Sequence, residues 1–218
     1  MKLQNKVVVV TGGGNGVGRE LVLGLLARGA SVAAVDIHTQ ALEETLALAG
    51  GQRERLATYG VNITERAQVE ALPEQVRARF GAVDGLINNA GILRDGLLVK
   101  KDRATGEVKK LSTADWNAVI GVNLTGATLM VREVVAKMAQ EGLRPGVIVN
   151  MSSIARHGNR GQSNYVSAKA SLAANTLTWS REFAPFGIRV GAVAPGMIET
   201  PMTQGMNQKA RDLLVANI

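Results

Sequence analysis

Short runs of β-branched residues recur along the chain, each closed by glycine, asparagine, proline or charge: 6–10, 31–35, 55–61, 83–88, 147–151 and 189–193. These predict six strands. Between them, apolar positions recur at helical spacing over 19–28, 39–49, 65–80, 114–140 and 163–186, which predicts five helices. Strand alternates with helix throughout. That order calls for a parallel sheet covered on both faces, because each right-handed crossover lays a helix over the sheet and buries the strand on both sides. The nearly all-apolar strands fit this, and the fold class is α/β with a doubly wound parallel sheet. One segment breaks the alternation. At 92–113, Asp102-Arg103-Ala104-Thr105-Gly106-Glu107 carries turn residues between Val99-Lys100-Lys101 and Val108-Lys109-Lys110, which predicts a hairpin-like excursion projecting near the site.

With 218 residues and no repeat, low-complexity tract or linker, the chain reads as one domain over 1–218. Hydrophobic residues at 46% against 20% charged place it with compact globular proteins, not disordered ones. The longest apolar runs stop well short of a bilayer span, so no transmembrane segment and no membrane partner is expected. The start lacks an apolar leader, and there are no cysteines, which removes disulfides, thiolate metal sites and thiol nucleophiles; a cytoplasmic location is the default. The net charge of +7 raises nucleic acid as a partner. With aromatics at 3% and no helix interleaving basic and stacking residues, no nucleic-acid surface is expected. His38 and His157 are the only histidines and neither sits in ligand spacing, so no metal is expected.

The first strand runs into Thr11-Gly12-Gly13-Gly14-Asn15-Gly16-Val17-Gly18 and then a helix. Beyond the carboxyl end of a parallel strand, a helix N-terminus offers unpaired N–H groups and a favourable dipole to an anion, and glycines let the backbone approach a pyrophosphate. A bare tight turn would also use such glycines. Asp36 ends the second strand, 18 residues past Gly18, where a carboxylate accepts both hydroxyls of an adenosine ribose. It would repel a 2′-phosphate by about 1 to 4 kcal/mol, according to the local dielectric. NAD(H) is therefore expected over NADP(H); the alternative is that Asp36 caps the next helix.

In Ser163-Asn164-Tyr165-Val166-Ser167-Ala168-Lys169, the tyrosine and lysine lie four apart and share a helix face. A free phenol has a pKa near about 10; an adjacent ammonium and an oxidised nicotinamide, both cationic, would lower it and make a base available. Tyrosine and lysine four apart are also common on surface helices. What distinguishes this pair is its company. Thr11 to Gly18, Asn88-Asn89-Ala90-Gly91, Asn123, Asn150-Met151-Ser152-Ser153, Tyr165 to Lys169 and Pro195-Gly196 follow in order and approximate spacing, and in this the whole chain resembles the short-chain dehydrogenase/reductase family, with 3-oxoacyl reductases and hydroxyacyl or hydroxysteroid dehydrogenases as relatives by pattern.

The resemblance implies a three-layer α/β/α Rossmann fold and an NAD-dependent oxidoreductase that passes a hydride between NAD(H) and a secondary alcohol or ketone. Tyr165 would be the acid/base, Lys169 would lower its pKa and hold the nicotinamide ribose, a serine would bond the substrate oxygen, and Asn123 would hold a proton-relay water. Strand position picks Ser153 as that serine, whereas counting back from Tyr165 picks Ser152; Ser153 is preferred because strand position fixes side-chain direction. The resemblance puts Gly12, Asn15, Gly16, Val17, Gly18, Asp36, Asn62, Ile63, Asn89, Ala90 and Gly91 on the cofactor, with Tyr165, Lys169, Pro195, Ile198 and Thr200 at its nicotinamide end. It also implies a homodimer or homotetramer. Two features depart from the family's pattern: the basic excursion is longer than usual, and the chain stops at Ile218, where the family adds a helix and a seventh strand after the helix expected at 207–216.

The substrate pocket is expected between 153–162 and 198–206, near Met197, Met202 and Met206, and is sized for a small or medium apolar secondary alcohol or ketone, including a 3-hydroxyacyl or 3-oxoacyl thioester. Phe186 stands where acyl-carrier reductases often place a basic residue. Two rival classes are a non-catalytic NAD(H) sensor, which would not need Tyr165, Lys169, Asn123 and Ser153 together, and a basic nucleic-acid-binding protein, whose binding would fall steeply with salt.

Overall fold

The structure, a computed structural model, describes residues 2–142 and 145–200. Six parallel strands form the sheet: β1 (Val7–Thr11), β2 (Ser31–Asp36), β3 (Leu56–Gly60), β4 (Gly85–Asn88), β7 (Gly146–Met151) and β8 (Ile188–Val193), ordered β3-β2-β1-β4-β7-β8. The helices are α1 (Gly16–Ala27), α2 (Thr39–Leu48), α3 (Arg66–Phe80), α4 (Thr113–Ile120), α5 (Ala127–Gln140) and α6 (Ser163–Glu182). The strand order reverses direction between β1 and β4, which opens a crevice at their carboxyl ends.

Period-two alternation divides the apolar run of β1 between two cores. Val7 and Val9 pack with Leu72, Val76, Met130, Val134 and Leu172 of α3, α5 and α6. Val8 and Val10 pack with Val22 and Leu26 of α1 and Leu42 of α2. Such double burial is why the strand is uniformly apolar.

The helix expected over 114–140 is interrupted. Between α4 and α5, Gly121–Gly126 adopts π-helical bonding centred on the fully buried Asn123. By length and composition Thr113–Gln140 could cross a bilayer, contrary to the expectation from shorter apolar runs. Its Met130, Val131, Val134, Val135 and Met138 instead fill the core beside the sheet. The excursion is a hairpin of β5 (Val99–Lys101) and β6 (Val108–Lys110), antiparallel and apart from the main sheet.

Candidate active site

A cavity of about 520 Å³ lies across the carboxyl ends of the strands. At its β1 end the glycine loop is shaped by sterics. Gly12 has φ +68°, and a Cβ at Gly18 would stand 1.9 Å from the Gly12 carbonyl oxygen, so only glycine fits. Thr11 Oγ1 accepts from the N–H groups of Asn89 (3.0 Å) and Ala90 (3.1 Å), while Asn89 Nδ2 donates to the Thr11 carbonyl (3.1 Å). On the outer side, Arg19 Nε donates to the Gly14 carbonyl (2.9 Å), and Thr45 Oγ1 lies 3.1 Å from the carbonyls of Gly13 and Gly14. These clamps hold the loop rigid.

Asp36 closes that end. Its carboxylate accepts from Gly14 N–H (3.0 Å) and from His38 N–H (3.0 Å), which fixes its direction while it still lines the cavity. The bond to His38 lies ahead of α2, whose N-cap is His38 with no side-chain cap bond, so Asp36 does not cap that helix. Arg19, which follows the glycine loop directly, is paired with Glu44 at 2.7 Å and bonded to the Gly14 carbonyl, so its charge is already answered.

At the other end, α6 presents Tyr165 and Lys169. Its position is fixed through a buried polar chain: Asn88 Nδ2 donates to Asn150 Oδ1 (3.0 Å), and Asn150 Nδ2 donates to Thr176 Oγ1 (2.9 Å), joining β4, β7 and α6. Lys169 is buried, and its Nζ donates to the Met151 carbonyl (2.7 Å). Burial pulls its pKa down from 10.5 to about 8. The ammonium also sits 5.7 Å from the centre of the Tyr165 ring.

Tyr165 departs from the expectation of a lowered pKa. Burial, the largest influence, raises the phenol above its ordinary value; a hydrogen bond with the Ser153 side chain opposes the rise, and the charge of Asp95 adds to it. In the protein alone the neutral phenol is the favoured form.

The two serines separate clearly. Ser153 bonds Tyr165, and its Oγ accepts from Ala155 N–H (3.1 Å). Ser152 is buried, and its Oγ donates to the Lys169 carbonyl (2.9 Å).

Sixteen positions expected to touch the cofactor, from Gly12 through Thr200, all line this one cavity, together with Ser153. Asn123 does not. Its side chain is spent on Ile92, accepting from the N–H (2.8 Å) and donating to the carbonyl (3.0 Å). It still stands close behind the site: a Cβ on Gly91 would lie 3.3 Å from Asn123 Oδ1 and 3.7 Å from Lys169 Nζ. Met202, Met206 and the helix expected at 207–216 lie outside the described residues.

Asp95 and Gln162, which no sequence motif singles out, are joined beside Tyr165. Gln162 Nε2 donates to Asp95 Oδ2 (2.9 Å), Asn159 Nδ2 donates to Gln162 Oε1 (2.8 Å), and Gly96 N–H donates to the Gly161 carbonyl (2.8 Å). These bonds tie 94–96 to the loop just before Tyr165. Loss of water around its carboxylate raises the pKa of Asp95, while the hydrogen bond from Gln162 opposes the rise. No motif announces the pair; the Gly96–Gln162 bridge joins segments distant in sequence.

A rigid glycine cradle, a carboxylate at the end of β2 and a tyrosine–lysine–serine cluster share one cavity at a strand-order reversal, the arrangement of a dinucleotide-dependent oxidoreductase. Comparison agrees. The family model described as short chain dehydrogenase matches residues 6–211, and the chain belongs to that family. The 3-oxoacyl-[acyl-carrier-protein] reductase FabG of Thermotoga maritima is 40% identical over 219 residues, covering 100% of this chain and 84% of its own length. The (3R)-3-hydroxyacyl-CoA dehydrogenase of Rattus norvegicus is 37% identical over 227 residues, covering 100% and 83%. Among solved structures, the 3-ketoacyl-(acyl-carrier-protein) reductase of Brucella melitensis complexed with NADH superposes with a TM-score of 0.82 at 28% identity, over 96% of this chain and 83% of that one. The protein is thus a 3-oxoacyl-reductase-like oxidoreductase of this family, acting with a nicotinamide cofactor on a small molecule.

Proposed function

We propose that the chain is an NAD(H)-dependent enzyme interconverting a secondary alcohol and a ketone, with a 3-hydroxyacyl or 3-oxoacyl thioester as the substrate class. The observation that carries this is the placement, in one cavity, of the Tyr165–Ser153 hydrogen bond and Lys169 at one end and the Asp36 carboxylate at the other. Relatives named for 3-oxoacyl and 3-hydroxyacyl thioesters support the substrate class. The NADH complex of the Brucella structure and the already paired Arg19 support NAD(H).

The residues fit such a cofactor. The loop is closed so tightly that side chains at Gly12, Gly14 or Gly18 would collide with their surroundings, leaving bare backbone toward the cavity. Asp36 would hold the adenosine ribose, with Asn62, Ile63, Asn89, Ala90 and Gly91 flanking the adenosine side; Lys169, Pro195, Ile198 and Thr200 would flank the nicotinamide side. When bound, the nicotinamide supplies or accepts the hydride, and in its oxidised form adds a positive charge.

Tyr165 Oη gives its proton to the carbonyl oxygen in reduction and takes the alcohol proton in oxidation. Ser153 Oγ, already bonded to Tyr165, donates to the same substrate oxygen and fixes its position. Lys169, held by the Met151 carbonyl, places its positive charge beside the tyrosine ring and stabilises the phenolate. Asn123 acts from behind, fixing Ile92 and the wall of the cavity; its backbone, in the π-helical turn, is what remains to hold a relay water. The same reading makes the chain a cytoplasmic homodimer or homotetramer.

Titration with NADH and NADPH, followed by nicotinamide fluorescence, tests the cofactor. NADH should bind at least about tenfold tighter, as roughly 1.4 kcal/mol of repulsion at Asp36 requires. Ketone reduction should vanish in Tyr165→Phe while NADH binding persists. Absence of binding to either dinucleotide overturns the oxidoreductase mechanism; NADPH preference overturns the role of Asp36.

A further inference from the structure

Arg19 stands where elementary electrostatics argues against a cation. It lies in the first turn of α1, at the positive end of the helix dipole, and that turn holds no carboxylate. It does not line the cavity, so it does not serve an anion there. Its side chain turns back along the outer side of the glycine loop, where only 21% of it meets water. Departures from local rules concentrate at functional sites.

What the guanidinium holds is backbone. Nε and Nη2 both donate to the Gly14 carbonyl, the first at 2.9 Å, and Nη2 reaches the Ala41 carbonyl of α2 at 3.3 Å. Nε also lies 3.1 Å from Thr45 Oγ1. Thr45 is fully buried, with its hydroxyl 3.1 Å from the carbonyls of Gly13 and Gly14 and 3.0 Å from that of Ala41. A hydroxyl has one proton to give. Because Arg19 already answers Gly14, the Thr45 proton is left for Gly13 and Ala41.

On its inner side the same loop is tied to the end of β2. Gly13 N–H donates to the Val35 carbonyl and Gly14 N–H to Asp36 Oδ2, both at 3.0 Å. The peptide group joining Gly13 to Gly14 therefore has Thr45 at its oxygen and Asp36 at its nitrogen. There is no slack around it: a Cβ on Gly14 would meet Asp36 Oδ2 at 2.8 Å and Ala41 Cβ at 2.9 Å. One oxygen of Asp36 is thus placed by a peptide that Arg19 and Thr45 hold from behind.

The ion pair with Glu44 is secondary. The Glu44 side chain is 58% exposed, and such a surface pair contributes little. The bonds from the guanidinium to the loop are charge-assisted and shielded from water, which makes them the stronger hold.

We infer that Arg19 and Thr45 are positioning residues for cofactor choice: they fix the Gly13–Gly14 peptide, that peptide fixes Asp36, and discrimination between NADH and NADPH depends on two side chains outside the cavity. This rests on the ribose role of Asp36 proposed above and extends it to the groups behind the loop.

Positioning and simple charge predict opposite outcomes for Arg19→Met, which keeps the apolar stem and removes a cation near the adenosine end. By charge alone, NADPH, the more anionic ligand, would lose more affinity and the preference for NADH would grow. By positioning, Asp36 loses its fixed direction, so NADH loses ribose bonds, NADPH escapes a directed repulsion, and the preference shrinks. Thr45→Val removes a hydroxyl and no charge, and should act in the same direction.

The test is fluorescence titration of the intact chain with NADH and with NADPH. The ratio of the NADPH Kd to the NADH Kd should fall at least about fivefold in Arg19→Met and in Thr45→Val. Thr45→Ser should restore it, and Glu44→Gln should leave it within about twofold. In an Asp36→Ala background, Arg19→Met should no longer lower the ratio, because the coupling runs through that carboxylate.

A ratio unchanged or raised in either variant, with thermal melts showing it folded, overturns the positioning role. So does a fall in Glu44→Gln as large as that in Arg19→Met, which would make the effect one of exposed charge. If the wild type itself prefers NADPH, the ribose reading of Asp36 fails instead, and calorimetric titration with ADP-ribose decides Arg19 separately. Weaker ADP-ribose binding in Arg19→Met then supports its hold on the loop, and unchanged binding overturns it.

Discussion

Replacing Lys169 by methionine should make the protein more stable and inactive at once. The ammonium is buried, with one hydrogen bond, to the Met151 carbonyl. Its pKa falls from 10.5 to about 8, so the unfolded chain binds the extra proton more tightly than the folded one. Stability therefore rises as pH climbs through that window, and below it the full cost of burying the charge is present. At about pH 7 that cost is roughly 3 kcal/mol, and at about pH 9.5 it has fallen to roughly 1 kcal/mol. Methionine keeps the apolar stem and removes the charge, but forfeits the hydrogen bond, worth about 1 kcal/mol. The net gain should be about 2 kcal/mol at about pH 7 and nearly nothing at about pH 9.5. Urea unfolding followed by tryptophan fluorescence at several pH values measures this, with ketone reduction as the activity control. A difference between variant and wild type that stays flat across that pH range would refute the burial argument.

Two further predictions follow from the same geometry. Gly18→Ala would press a Cβ to 1.9 Å from the Gly12 oxygen, so the loop must open; stability should fall by about 1 to 3 kcal/mol and NADH affinity by at least about tenfold, and thermal melts with fluorescence titration would expose an unaffected variant as contrary evidence. Asp95→Asn keeps an acceptor for Gln162 but removes the negative charge that helps hold the Tyr165 phenol up. The rise of alcohol oxidation with pH should therefore begin at lower pH, because the base form of Tyr165 appears sooner; an unmoved or upward-shifted limb in the kcat/KM profile contradicts it.

The alternation of buried strands and amphipathic helices made the doubly wound sheet legible from the chain alone, because burial on both faces leaves an all-apolar signature such as Val7 to Val10. Gly12 to Gly18 and Asp36 were legible for a related reason. Tight backbone approach admits only glycine, and a strand end fixes where the next carboxylate falls. Tyr165 and Lys169 sit four apart on one helix, so their convergence is a local property.

Other features depend on contacts between distant segments. The π-helical turn at Asn123 leaves apolar periodicity nearly intact, and its buried side chain is held by a pair of bonds to Ile92, 31 residues away. The choice of partner for Tyr165 between Ser152 and Ser153 turns on which hydroxyl α6 captures: Ser152 is drawn under the Lys169 carbonyl, leaving Ser153 beside Tyr165. Asp95 gains its influence only because Gln162, 67 residues on, folds back against it. The raised Tyr165 phenol has the same origin. Spacing along a helix records which groups share a face, but the water removed from around them is set by every element that packs over that face. The sequence by itself determined the architecture and the chemical repertoire, since both follow from short-range periodicity and local sterics; burial, protonation and orientation were decided by tertiary packing, which sums over the whole chain.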